Sequence, residues 1–306
     1  MNQNLIQGGT VTGFIFLDKP KGITSFTAVN RVRRITGVKK AGHTGTLDPM
    51  ATGVLPIMLG GATRFSQYLP VHDKSYRAKI LLGTITDTLD VTGEILEERE
   101  VNVTDTELLN TVMSFKGNIK QLPPMYSAVS KDGVRLYKLA RQGIEIEREA
   151  RDVTIYDINI AESLTNKEFV IDVSCSAGTY IRSLANDIGE KLGCGATISE
   201  LRRTSANSIS IDRTVTLEEL EKITADGRLS EIVAPCDEML GCYPAVYVSE
   251  KQAARFGNGG ELDLGRIRNC PDGEILRVYS PDKKLLGLGK INKENNTLDV
   301  EKILVY

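Results

Sequence analysis

The chain has 306 residues, of which 41% are hydrophobic and 25% are charged, values typical of a globular protein. This length exceeds most single hydrophobic cores, so we expect about two domains. The polar start, with glycines at positions 8 and 9, argues against a secretory signal peptide. No apolar run approaches the roughly 20 residues of a membrane helix. We therefore expect a soluble, cytoplasmic protein.

The charge is unevenly distributed, although the net charge is only −2. Residues 1–48 carry seven basic and two acidic side chains, whereas residues 86–109 carry eight acidic side chains and only Arg99. An uneven distribution of this kind is typical of a protein that binds a polyanion on one side. The net charge alone therefore does not exclude a nucleic-acid partner.

The cysteines and histidines predict no metal site. The five cysteines are an odd number and form no CxxC pair, and only two histidines are present. A zinc cluster would have few available ligands, so we expect reduced, free thiols.

In the first third of the chain, the pattern predicts a buried strand at 13–17, a turn at 18–22 and a helix that starts at Ser25. Two further strands are predicted at 54–59 and 75–82. The acidic stretch that follows is expected to form a hairpin or loop with its turn at 90–93. A capping box at 104–107 predicts a helix that runs to Phe115.

In the remainder, residues 127–143 are expected to form a strand, a turn and a basic helix. Strands are predicted at 151–160, 168–175 and 197–205, and a helix at about 178–192. Short helices are expected at 217–223 and 235–240. Near residue 241 the pattern changes to one helix and three short strands, which predicts a small appended barrel or sandwich.

Asp48 is the only acidic residue between Asp18 and Asp73, in a window rich in lysine and arginine. Pro49 biases its backbone towards an extended conformation, and the nearby glycines allow turns and close approach of a ligand. A carboxylate is ionised at neutral pH and can act as a nucleophile or an electrostatic stabiliser. Taken alone, this loop is either a structural Asp-Pro turn or a reacting group near a bound anion.

The segment from Gly42 to Pro56, GHTGTLDPMATGVLP, resembles the active-site motif of the pseudouridine synthases, in particular the bacterial TruB-type tRNA pseudouridine-55 synthases. Further segments resemble motifs of that family in the same order, over roughly residues 13–240: 17–25, 62–64, 76–78, 121–129, 178–184 and 201–204. The C-terminal unit is similar to the small PUA-type RNA-binding domain.

The resemblance implies an α+β fold in two parts. Residues 1–240 would form a catalytic domain around a mixed, largely antiparallel sheet, with an RNA-gripping insertion at about 121–150. Residues 241–306 would form a PUA-like β-barrel. The family further implies binding to the T-arm of tRNA, and we expect no obligatory protein partner. Nothing in the sequence compels a dimer, so we expect a monomer.

The resemblance also implies roles for individual residues. Asp48 would be the catalytic aspartate, Tyr76 would stack on the target base, and Arg182 would pair with the Asp48 carboxylate. Three residues would line the pocket or contact RNA: His43, Tyr180 and Leu201. Phosphate contacts would come from Lys19, the basic cluster at 31–40, Arg64, Lys131 and Arg202.

The implied reaction isomerises a uridine of the tRNA T-loop to pseudouridine after base flipping. It breaks the N1–C1′ bond, turns the base and joins C5 to C1′, so it requires no cofactor and no metal. The carboxylate could stabilise positive charge at C1′, attack C1′, or remove a proton from the sugar to give a glycal.

Three other interpretations remain open at this stage. A non-catalytic RNA-binding or RNA-folding factor would use the same basic surface. A nucleoside hydrolase would share the chemistry at C1′ but would usually need a second carboxylate to activate water. Within the family, an RNA-guided synthase is the alternative to a stand-alone enzyme.

Overall fold

The computed structural model describes residues 6–7, 10–70, 73–127, 129–131, 133–165 and 167–305. The side chains of residues 6, 7, 10, 131 and 164 lie outside that description, as does His72. Among the described residues, no helix has both the length and the apolar character needed to cross a membrane.

The strands are short near the N-terminus and long in the middle of the chain. In the first half they are β1 (Ile6–Gln7), β2 (Thr10–Val11), β3 (Gly13–Lys19), β4 (Ala41–His43), β5 (Thr52–Leu59), β6 (Lys74–Leu82), β7 (Thr84–Thr86), β8 (Ile95–Glu98), β9 (Gly117–Gln121), β10 (Ser130–Lys131) and β11 (Val134–Arg135). In the second half they are β12 (Arg151–Thr165), β13 (Glu168–Cys175), β14 (Ala196–Ala206), β15 (Ile209–Ser210), β16 (Ala245–Tyr247), β17 (Leu262–Asp263), β18 (Ile275–Tyr279), β19 (Leu285–Asn292) and β20 (Thr297–Ile303).

Two of the predicted helix starts, at Ser25 and after Thr104, are confirmed. The helices are α1 (Ser25–Thr36), α2 (Asp105–Met113), α3 (Leu136–Ala140), α4 (Ile181–Lys191), α5 (Leu217–Ala225), α6 (Cys236–Met239) and α7 (Glu250–Gly257). Thr24 caps α1 by accepting a hydrogen bond from the amide of Thr27. The capping box predicted for α2 is present, with both of its hydrogen bonds.

A nine-stranded sheet forms the centre of the molecule. Its main path is β3-β5-β14-β6-β13-β12-β9, with β4 beside β5 and β15 beside β14. Within this sheet, β14 and β5 are parallel and the other pairs are antiparallel. The prediction of a mixed, largely antiparallel sheet is therefore confirmed.

The sheet is buried on both faces near β3 and β5, which explains the continuous apolar runs there. Ile15 and Leu17 pack into a core shared with α1, α2, α4 and α5. The alternate residues Phe14 and Phe16 pack into a second core on the opposite face. The alternation follows from the two-residue period of a strand.

The C-terminal strands form a separate five-stranded half-barrel in the order β16-β18-β19-β20-β17. Phe256 of α7 is fully buried against it and forms a third core with Val246, Leu276 and Leu298. The expected small β unit is confirmed as an open, curled sheet. The second core joins this unit to the central sheet, because Tyr279, Leu285 and Leu304 belong to it as well.

Candidate active site

The loop that carries Asp48 lies between β4 and β5 and is fixed by distant residues. Ser25, which is buried at the start of α1, accepts a hydrogen bond from the amide of Leu47 at 2.8 Å and donates one to its carbonyl at 3.0 Å. The amide of Ala51 donates to the carbonyl of Asp48 at 3.1 Å and closes the turn. The backbone on both sides of the aspartate is thus held in place.

Lys19 supports the same loop from below, and the prediction that it contacts phosphate is wrong. It is fully buried at the end of β3. Its Nζ donates to the carbonyls of Pro20 at 2.9 Å, Ile23 at 2.8 Å and Pro49 at 3.5 Å. These three bonds use its donors inside the protein, so Lys19 shapes the Asp-Pro turn instead of reaching solvent.

The Lys19 ammonium also affects the electrostatics of the site. The pKa of Lys19 is lowered to about 8, chiefly by burial and to a smaller extent by Arg203, while the Asp48 carboxylate opposes the decrease. The Asp48 carboxylate therefore stabilises the charged form of Lys19.

Arg203 is a structural residue of the site that the sequence reasoning missed. Its guanidinium group is buried and donates to the carbonyls of Val54 at 2.7 Å, Thr46 at 3.3 Å and Gly45 at 3.2 Å. It therefore ties the Asp48 loop to β5. The signal that could have revealed it is the strand period, because Arg203 lies two residues after Leu201 on the same face of β14.

The parallel pairing of β14 with β5 depends on Gly53. Gly53 has φ of 104°, and a Cβ at this position would lie 2.2 Å from the carbonyl oxygen of Arg203. Only glycine fits this close approach, because it has no side chain and tolerates positive φ.

Arg182, at the start of α4, pairs with Asp48. Its Nε donates to Oδ2 of Asp48 at 2.9 Å, while its terminal nitrogens donate to the carbonyls of Thr88 at 2.7 Å and Tyr126 at 2.8 Å. The Arg182 side chain is only 4% exposed, whereas that of Asp48 is 34% exposed. The guanidinium group is therefore fixed, and the carboxylate faces open space.

A cavity of about 240 Å³ lies in front of this ion pair. It is lined by Thr46, Leu47, Asp48, Lys74, Tyr76, Ser127, Gly178, Thr179, Tyr180, Ile181, Arg182 and Leu201. The structure thus brings together residues from the Asp48 loop, β6, β14 and the start of α4. Five of the predicted site residues line it: Asp48, Tyr76, Tyr180, Arg182 and Leu201.

Two of the aromatic side chains of the cavity are positioned by their strands and loops. Tyr76 is 8% exposed and lies opposite Arg203 in the pairing of β6 with β14. Burial raises the pKa of Tyr76, so its phenol stays protonated at neutral pH. Tyr180 is held by Gln121, whose side chain donates to its carbonyl at 3.0 Å and accepts from its amide at 2.8 Å.

The other predicted contact residues lie outside the cavity lining. His43 is half-buried on β4, and burial lowers its pKa. Arg64 is exposed in the turn after β5. Arg202 forms an ion pair with Asp18 at 2.7 Å and keeps its side chain 43% exposed. The Lys131 side chain lies outside the described residues.

The fold resembles solved pseudouridine synthases. A Cbf5–Nop10–Gar1 complex matches with a TM-score of 0.71 and 29% identity, over 96% of this chain and 85% of that chain. An H/ACA ribonucleoprotein bound to a substrate RNA containing 2′-deoxyuridine matches with a TM-score of 0.70 and 27% identity, over 96% and 86%. The fold and the site together define a pseudouridine synthase.

The sequence comparisons identify the family within this class. Residues 33–181 match the N-terminal domain of the TruB family pseudouridylate synthases. Residues 182–241 match the C-terminal domain of tRNA pseudouridylate synthase B. Residues 244–298 match a further C-terminal family, that of the pseudouridine synthase II TruB. The tRNA pseudouridine synthase B of Pseudomonas fluorescens is 45% identical over 93% of each chain. That of Clostridium tetani is 44% identical over 96% of this chain and 100% of its own. The chain belongs to the TruB family of pseudouridine synthases and is an isomerase.

Proposed function

We propose that this protein isomerises a uridine in the T-loop of tRNA to pseudouridine, with Asp48 as the catalytic group and without a cofactor. The observation that carries the proposal is the Asp48–Arg182 pair facing a cavity that Tyr76 also lines. The relatives from Pseudomonas fluorescens and Clostridium tetani are tRNA pseudouridine synthases, which supports tRNA as the substrate. Their identities of 44–45%, against 27–29% for the structures named for Cbf5 and H/ACA particles, favour a stand-alone enzyme.

The cavity has a size that suits one flipped base. Its volume of about 240 Å³ equals that of roughly eight water molecules in the liquid. This is enough for uracil, whose eight non-hydrogen atoms are covalently bonded and each occupy less volume than a water molecule. Tyr76 offers a ring face for stacking, which contributes about 1–3 kcal/mol per base in single-strand binding proteins. That energy offsets part of the few kcal/mol needed to remove the base from its stack.

Asp48 would act at C1′ of the ribose. The N1–C1′ bond breaks and its electron pair leaves with the uracil; after the ring turns, C5 bonds to C1′. The proton on C5 is lost, and N1 ends protonated, so the atoms of the uridine are conserved. The Arg182 guanidinium fixes one carboxylate oxygen, while no described residue donates to Oδ1, which is therefore available to the sugar.

The basic cluster of α1 and the following turn would bind the tRNA backbone. Its members are exposed on one segment: Arg31, Arg33, Arg34, Lys39 and Lys40. Arg64 and Arg202 would add phosphate contacts, and the segment 121–150 and the unit 241–306 would grip the RNA. Affinity should then fall with rising salt as bound counterions are released.

The proposal is tested with a uridine-labelled tRNA transcript, incubated without cofactor or metal and digested to nucleosides. We expect pseudouridine from the wild type. Asp48→Asn should lose at least about 10³-fold in rate, because an amide can neither attack C1′ nor balance its charge, while tRNA affinity changes little. The matched control is Asp157→Asn, which removes a surface ion pair with Lys116.

Each other outcome of these assays would contradict a different part of the proposal. Free uracil would indicate a hydrolase, and unchanged uridine with intact tRNA binding would indicate a binding factor. Near-wild-type turnover of Asp48→Asn would exclude Asp48 as the catalytic group. Pseudouridine at a position outside the T-loop would overturn the substrate assignment alone.

A further inference from the structure

Lys74 lines the Asp48 cavity, but the proposed chemistry at C1′ and the stacking on Tyr76 do not involve it. It is the first residue of β6 and precedes Tyr76 by two positions. Residues two apart on a strand share a face and are separated by about 7 Å. The lysine therefore projects on the side of the sheet where the Tyr76 ring lies, with a side chain long enough to reach the edge of a stacked base.

The direction of the Lys74 side chain is shown by its contact with the Asp48 loop. A Cβ placed on Gly45 would lie 3.8 Å from Cε and 4.0 Å from Nζ of Lys74. Gly45 is three residues before Asp48, so the ammonium lies between the loop and the open cavity. Burial, with a contribution from Arg203, lowers the pKa of Lys74.

Lys74 differs from the other cations of the site because its donors are unused. Arg182 donates to Asp48 and two carbonyls, and Arg203 donates to three carbonyls. Within the part of the chain that the structure describes, the Lys74 ammonium has neither an ion pair nor a hydrogen bond. A half-buried ammonium with free donors is costly to keep in a cavity unless a ligand supplies acceptors.

We propose that Lys74 is a further catalytic residue that donates a hydrogen bond to a carbonyl oxygen of the flipped uracil. When the N1–C1′ bond breaks, its electron pair leaves with the ring and spreads onto O2 and O4. A fixed cation at one of these oxygens stabilises the charge as it develops and lowers the barrier to cleavage. The inference rests on the proposed function, because it assumes that uracil occupies this cavity.

The geometry favours the base over a phosphate as the partner of Lys74. The ammonium lies inside the cavity, on the face of the sheet shared with Tyr76 and beside the loop of Asp48. A base stacked on Tyr76 places its carbonyl oxygens at the ring edge, within that space. The exposed cations of α1 are better placed for the backbone of the RNA.

The test compares Lys74→Met, Lys74→Arg and the wild type in single-turnover assays with saturating enzyme. Lys74→Met should lower the rate by about 100-fold, the usual effect of removing one such donor, with tRNA affinity unchanged within about twofold. Lys74→Arg should recover part of the rate because it keeps the cation. The control is Lys79→Met, which removes a lysine from the same strand that pairs with Glu168 outside the cavity.

A tRNA carrying 5-fluorouridine at the target distinguishes charge stabilisation from a structural role. Because C5 then carries fluorine in place of the proton that is lost in the last step, the rate measured is the consumption of 5-fluorouridine in a single turnover, and the rate compared with it is the consumption of uridine. Fluorine withdraws electrons and makes the uracil anion a better leaving group, so cleavage depends less on the lysine. The loss caused by Lys74→Met should then be several-fold smaller than with uridine. A structural defect would reduce both rates equally.

The outcomes separate the two proposals. If the wild type forms no pseudouridine, the proposed function is wrong, and the proposed role of Lys74 is wrong as well because it depends on that function. If the wild type is active, an unchanged rate in Lys74→Met overturns the role of Lys74 alone. An affinity loss with a salt dependence reduced by about one ion would assign Lys74 to a phosphate instead. Equal losses with both substrates would overturn charge stabilisation.

Discussion

Lys19 shows how a basic residue next to a catalytic motif can be structural. Its charge, its neighbours in sequence and the resemblance to the family all indicated a phosphate contact, but its ammonium is buried under the Asp-Pro turn. The strand period explains the difference, since Lys19 lies on the same face of β3 as Leu17, the face that packs into the first core.

The Lys19 side chain should titrate below the usual range of a lysine. With its pKa lowered to about 8, the Lys19 amine should lose its proton near pH 8 in NMR spectra of the side-chain carbons and nitrogen. Because Asp48 raises this pKa, Asp48→Asn should move the midpoint to lower pH. A midpoint that rises or stays fixed in the variant would contradict the coupling.

Lys19 should also change how stability depends on pH. Between about pH 8 and its ordinary 10.5, the unfolded chain binds more protons at this residue than the folded protein. The contribution of Lys19 to the free energy of unfolding therefore rises with pH across that window and is constant below it. Urea denaturation of the wild type and Lys19→Met at the two ends of the window measures the difference, which should grow in favour of the wild type as pH rises.

At the scale of elements, the start of α4 depends on β9. Gln121 is 2% exposed and joins the last residue of β9 to the backbone of Tyr180 by two hydrogen bonds, while Ser183 donates to the carbonyl of Leu122 at 2.8 Å. The segment after β9 thereby holds the helix that presents Arg182.

Gln121→Ala should destabilise the protein by about 1–3 kcal/mol, because it removes the hydrogen-bond partner of the Tyr180 amide, whereas the Tyr180 carbonyl keeps the bond from the amide of Leu184. It should also lower turnover, since the ring of Tyr180 lines the cavity. Urea denaturation and the tRNA assay measure the two effects. The exposed Gln142 provides the control for stability, and Gln142→Ala should leave the free energy of unfolding unchanged. A free energy of unfolding in Gln121→Ala equal to that of the wild type would show that the hydrogen bonds of Gln121 with Tyr180 do not stabilise the protein.

Elements were predicted from sequence more reliably than their contacts. Helix caps, apolar periods and turn glycines are local signals, so α1, α2, α4 and six strands of the central sheet (β3, β5, β6, β12, β13 and β14) were predicted to within about five residues. The short strands β4, β9 and β15 of the same sheet were not predicted. The pairing of Asp48 with Arg182 was implied by the resemblance alone. Other contacts join segments that lie about 60 to 160 residues apart: the hydrogen bonds of Gln121 with the backbone of Tyr180, and those of Arg203 with three carbonyls. No local pattern encodes such contacts.

At the scale of the whole molecule, the C-terminal unit is joined to the central sheet by a shared core. The hydroxyl of Tyr68 donates to Oε1 of Glu301 at 2.6 Å, and that of Tyr243 donates to the carbonyl of Tyr68 at 2.8 Å. Around these bonds lie Phe65, Tyr279 and Leu304 in the second core. A division near residue 240 remains a prediction, but the two parts share buried apolar surface.

This shared core predicts cooperative unfolding of the full chain. We expect scanning calorimetry to show one transition with equal calorimetric and van't Hoff enthalpies. Removal of residues 241–306 should lower the melting temperature, because it takes Tyr279, Leu285, Leu288 and Leu304 out of the second core and exposes apolar surface there. Two resolved transitions in the full chain would show that the parts unfold independently.

The way the Asp48 loop is held has a consequence for enzyme design. The loop is not a portable module, because its backbone is bonded to Ser25 of α1, Lys19 of β3 and Arg203 of β14. A graft of residues 42–56 onto another scaffold would transfer the carboxylate without the supports that aim it. A transplanted site would need all three distant side chains, and the parallel β5–β14 pairing that brings Arg203 against Gly53.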